Sequence, residues 1–96
     1  MGTIIDEDYI REHTVMDKRT ELMVITMEEC GELIEACSKA IRCEDYVDNE
    51  RMIEEMGDVH FMLSLIMERG LVKSEDIQNR IDVKIKKLKK YSNLIV

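Results

Sequence analysis

Two hexapeptides in this chain are near copies: Glu28-Glu29-Cys30-Gly31-Glu32-Leu33 and, 26 residues later, Glu54-Glu55-Met56-Gly57-Asp58-Val59. Each sets two carboxylates three residues apart, Glu29 with Glu32 and Glu55 with Asp58, which puts each pair on one side of a helix. Two such helices side by side gather four carboxylates into one small volume. Like unit charges about 4 Å apart repel by about 4 kcal/mol at an effective dielectric near 20, so the group calls for a cation. The donors are all hard oxygens, which suit Mg²⁺, or Mn²⁺, rather than Zn²⁺, for which Cys and His are expected. A di-iron bundle requires Glu-x-x-His on two helices. This chain has none, since Ile10 stands three residues before His13 and Gly57 three before His60.

A basic counterpart follows. Arg80, Lys84, Lys87 and Tyr91 recur at i, i+4, i+7 and i+11. At about 100° per residue, Lys84 falls about 20° from Ile77 and about 40° from Leu88, inside an apolar stripe. A lysine there either snorkels to water or meets an anion. Lys86, Lys89 and Lys90 read instead as a solvated helix end favoured by the helix dipole. Carboxylates for a divalent ion together with cations for an anion describe a site for a metal-bound polyphosphate, where the ion bridges protein and phosphate oxygens.

The elements that must position these groups are helices. From Thr14 to Arg42 the apolar spacing is helical, with Leu22, Ile25, Leu33, Ala36 and Ala40 on one side and Met23, Ile34 and Ile41 next to it. Glu29 lies on that stripe and Glu32 at its edge. The polar stretch Cys43 to Asn49 ends the helix, and Asp48 or Asn49 is suited to cap the next. The second helix runs to about Arg69 on a stripe of Met52, Met56, Val59, Leu63, Ile66 and Met67, with Glu55 beside Met52 and Val59, and Gly70 stops it. Ser74 followed by Glu75 and Asp76 opens the third, which carries Ile77, Ile81, Ile85 and Leu88 and ends near Tyr91. Asp6-Glu7-Asp8 is placed to open a short N-terminal helix with Tyr9 and Ile10. Gly31 and Gly57 inside helices cost up to about 1 kcal/mol each relative to Ala, which predicts close helix contact there. The fold class expected is all-α: a bundle of three main helices plus that short one, completed by oligomerisation.

Composition agrees. With 45% hydrophobic and 36% charged residues, no Pro and four Gly in 96 residues, the chain reads as helical and as a single domain over residues 1–96. A chain this small leaves apolar surface for a second subunit to cover. The net charge of −7 argues against nucleic acid as the main partner. Cys30, Cys37 and Cys43 form no CxxC pair and read as reduced, semi-buried thiols. No run approaches the length of a membrane span and the opening residues lack a signal-peptide pattern, so the expectation is a soluble, cytoplasmic protein with no membrane partner.

EECGEL followed by EEMGDV resembles the ExxE…ExxD signature of the all-α, MazG-like nucleoside triphosphate pyrophosphohydrolases, over roughly Met16 to Tyr91. The resemblance implies a dimer or tetramer that hydrolyses an NTP or dNTP, with Mg²⁺, to the monophosphate and pyrophosphate. Its metal ligands map to Glu29, Glu32, Glu55 and Asp58, and its phosphate-facing lysines to Lys84 and Lys87, with Arg80 a turn earlier. Glu28, adjacent to the ligands and about 40° from Glu32, is the candidate general base. The chain departs from the pattern in having no Trp and no Gln between Lys18 and Met27. Related phosphohydrolases of the phosphoribosyl-ATP or all-α dUTPase type share the metal cluster and differ in the base pocket. A non-catalytic helical dimerisation module is the reading from another class.

Overall fold

A computed structural model describes residues 16–95, which form three α-helices and no strand: α1 (Lys18–Cys43), α2 (Glu50–Glu68) and α3 (Ser74–Tyr91). The all-α class and the three main helices are as the periodicity predicts. The short N-terminal helix expected around Asp6–Ile10 and the Thr14 start of the first helix lie outside the described residues.

Each helix end has a local cause. Asp17 caps α1: its carboxylate accepts from the Thr20 amide at 2.8 Å and from the Thr20 hydroxyl at 3.2 Å. Those bonds, the amide first, hold the Asp17 carboxyl below its ordinary pKa. Asn49 caps α2, its side-chain oxygen accepting from the Met52 amide at 3.1 Å. Gly70, at φ 76°, closes α2 as expected, with the Gly70 amide on the Met67 carbonyl at 3.0 Å and the Leu71 amide on that of Ile66 at 3.3 Å. The start of α3 differs from the sequence expectation: Lys73 holds the cap position without a side-chain bond, and Ser74 is already helical. Its end charges still suit the helix dipole, with Glu75 and Asp76 in the first turn and Lys89 and Lys90 in the last.

The same pair of closing bonds ends α1, from Glu44 to Ile41 and from Asp45 to Ala40, but here Glu44 occupies the left-handed region at φ 49°. An L-residue there costs about 1–2 kcal/mol, and glycine returns part of that as lost chain entropy. Glu44→Gly is therefore expected to stabilise the protein by about 0.5–1 kcal/mol, read as a higher urea midpoint at unchanged slope.

The chain divides into two compact units, one with α1 and α2 as far as Leu65 and one from Ile66 onward with α3. In the first, Leu22, Ala36, Ala40 and Met62 are the buried apolar residues, flanked by half-buried Ile25, Leu33, Met52 and Val59. The inward line of α2 is thus Met52, Glu55, Val59 and Met62, while Met56 and Leu63, expected inside, are exposed. The expected close contact at Gly31 and Gly57 is not made among the described residues, where a Cβ at either would meet no atom within 4 Å. Cys30, Cys37 and Cys43 are free thiols, and Cys37 and Cys43 are exposed rather than semi-buried. In the second unit α3 has no buried residue, and the stripe of Ile77, Ile81 and Ile85 around Lys84 is exposed. No described helix is long and apolar enough to cross a membrane.

Candidate functional site

The buried face of α1 follows Leu22, Glu29, Ala36 and Ala40, and that of α2 carries Glu55 and Met62. A carboxylate on each helix therefore occupies a place where the pattern calls for an apolar side chain. Glu29 and Glu55 are each only 8% exposed. Asp58, one turn beyond Glu55, is exposed, and the three side chains each bring an oxygen within 4.8 Å of the others. One oxygen of Glu55 is out of contact with solvent and has no hydrogen-bond partner among the described residues. Burial, and then the charges of Glu32, Glu54 and Asp58, push the Glu55 carboxyl above its ordinary pKa, with Arg51 opposing.

A buried carboxylate left in this state is costly unless something positive completes it. Adjacent ligands of a six-coordinate Mg²⁺ stand about 3 Å apart, so oxygens within 4.8 Å of one another would each move by roughly 1 Å to share such an ion. Hard donors, crowding and a spare buried oxygen together fit a hard divalent cation.

The remaining expected site residues divide by unit. Glu32 lies outside the set of three converging carboxylates: it is half-buried, and its Oε2 accepts from Arg51 Nη2 at 3.2 Å. Arg51 also pairs with Glu35 at 3.5 Å. Sequence reasoning passed over Arg51, although its place four residues before Glu55 puts it on that side of α2. Glu28 is half-buried, with one carboxylate oxygen away from solvent. Arg80, Lys84 and Lys87 are exposed along α3 in the second unit. Tyr91 is exposed as well, with Lys90 Nζ 5.2 Å from its ring centre.

No curated protein and no solved structure matches the chain. The family model of the MazG nucleotide pyrophosphohydrolase domain matches residues 17–92, from the cap of α1 to the residue after α3, and so takes in both acidic repeats and the lysines. Covering most of the chain, that match establishes what the duplicated acidic motif implied: the protein belongs to the MazG nucleotide pyrophosphohydrolase family.

Proposed function

We propose that the chain, acting as one domain over residues 1–96, is a Mg²⁺-dependent pyrophosphohydrolase that cleaves an NTP or dNTP to the monophosphate and pyrophosphate. The observation that carries the proposal is the meeting of Glu29, Glu55 and Asp58, at a Glu55 carboxylate with one buried oxygen that has no partner among the described residues. Glu29, Glu55 and Asp58, joined by Glu32, would hold the ion, Mg²⁺ or Mn²⁺. When bound, the ion supplies Lewis acidity at a phosphoryl oxygen. Glu28 takes the proton of the water that attacks the α-phosphorus, while the bond from that phosphorus to the bridging oxygen breaks and pyrophosphate departs. Lys84, Lys87 and Arg80 neutralise the phosphate oxygens.

The working form proposed is a cytoplasmic homodimer or homotetramer with no membrane or nucleic-acid partner. Its support is the apolar surface left outside on α1, including Met27, Ile34 and Ile41 at 65%, 71% and 65% exposure. The test is incubation with canonical and modified NTPs and dNTPs, dUTP and phosphoribosyl-ATP in Mg²⁺, scoring pyrophosphate against orthophosphate. Orthophosphate alone, or no product, contradicts the reading.

The lysines are expected to differ. Lys84→Ala is expected to lower kcat/KM by roughly 10- to 150-fold, about 1.5–3 kcal/mol, as for one lost bond to a charged group, whereas Lys86→Ala and Lys89→Ala change little. Equal losses in all three variants would mean that the α3 lysines act as a diffuse field.

A further inference from the structure

Arg51 and Glu32 bring opposite charges together from α2 and α1, with Nη2 to Oε2 at 3.2 Å and the same nitrogen 3.5 Å from Glu35. Glu32 sits one turn from Glu29 on α1, and Arg51 one turn from Glu55 on α2. The pair therefore borders the place where Glu29, Glu55 and Asp58 converge, and the guanidinium engages Glu32, the member of the two i, i+3 pairs that stands outside that set. Both partners keep partial access to water, 36% for the Arg51 side chain and 21% for that of Glu32. Such a pair is worth about 0–1 kcal/mol, little enough for a divalent ion to displace. Glu35 gives the guanidinium a second anchor on α1, three residues beyond Glu32, so Arg51 remains held if Glu32 leaves.

We propose that Arg51 is a positioning residue that latches Glu32: its guanidinium neutralises the cluster in the metal-free protein, and metal loading transfers Glu32 from Arg51 to the ion. This rests on the metal-binding reading of the site. The latch lowers repulsion in the empty cluster and in the same measure competes with the metal. Removing it should tighten metal binding, but only while Glu32 is present to be released.

The test titrates Mn²⁺ alone, without nucleotide, into metal-free wild type, Arg51→Gln, Glu32→Gln and the double variant, following heat. Arg51→Gln is expected to bind Mn²⁺ about two- to fivefold more tightly and Glu32→Gln more weakly. In the double variant the Arg51 change is expected to add nothing. Unchanged or weaker binding by Arg51→Gln overturns the latch, and so does tightening that persists without Glu32, which would mark a general charge effect. A wild type that takes up no Mn²⁺ overturns the metal reading itself, and the latch with it. If Arg51→Gln loses its helical circular dichroism, Arg51→Lys takes its place. Lysine keeps the charge without the planar fork, so tightening in the same direction is expected, and wild-type affinity overturns the proposal.

Discussion

Glu55→Gln is expected to reduce pyrophosphate release by about 100-fold or more, about 2.7 kcal/mol of transition-state stabilisation, and to leave the helical fold intact. The amide fits the same space but is a poorer ligand for a hard cation. In metal-free buffer the variant is expected to be more stable than wild type, by about 1–3 kcal/mol, because it removes a buried charge crowded by other carboxylates. The sign with pH follows from the raised pKa of Glu55. Between its ordinary value of 4.5 and its higher folded value, the folded chain keeps a proton that the unfolded chain has lost. Metal-free wild type should therefore lose stability as pH rises through that interval and level off above it. With Gln at 55 this contribution disappears. Urea midpoints in chelator across the acid range measure the stability, and steady-state turnover measures the activity. Turnover within about twofold of wild type, well short of the tenfold that 1.4 kcal/mol brings, would remove Glu55 from the metal site.

Ile34→Glu is expected to raise the dissociation constant of the self-associated protein by about 100-fold. Two adjacent lines run along α1 at alternating spacings of four and three. Leu22, Thr26, Glu29, Leu33, Ala36 and Ala40 are buried or half-buried. One residue further on, Met23, Met27, Cys30, Ile34, Cys37 and Ile41 form the outer line, with Ile34 its most exposed apolar member at 71%. Such spacing is what a facing helix requires. Gly31 beside this line leaves open space where a Cβ would stand, which allows a neighbouring backbone to come near. Burying an isoleucine is worth about 1.5–3 kcal/mol, and a carboxylate in its place adds desolvation, so roughly 2.7 kcal/mol is a conservative expectation. Ile34 is already exposed in the single chain, so the circular dichroism should not change. Sedimentation across a concentration series reads the effect. Wild-type association by Ile34→Glu would move the interface off this line, and a wild type that stays monomeric at micromolar concentration would contradict the proposed oligomer.

The helices themselves were legible residue by residue, because their signals are local. An aspartate or asparagine at a start, acids in a first turn and a glycine past an end act on backbone groups within a few positions. Asn49 and Gly70 were readable for that reason. Ser74 was misplaced by one residue because Lys73 already adopts the extended cap conformation, a choice no hydroxyl signal specifies. The apolar phase of α2 was the larger miss. Glu55 is buried, as its place beside Met52 and Val59 implied, but Met62 turns inward with it and Met56 and Leu63 turn outward, because the rotation of a packed helix is set by its neighbour and not by its own hydropathy.

By itself the sequence determined the helical class, the kind of ion its carboxylates suit and the family, since these follow from residue types and from spacing within one helix. Only the tertiary structure decided which carboxylates meet. Glu29, Glu55 and Asp58 converge, whereas Glu32, equivalent in the motif, is engaged by Arg51. An i, i+3 spacing sets the side of one helix on which two groups lie. The distance from that side to a group on another helix depends on how the two are rotated and offset when packed, and that is settled by the apolar residues around them.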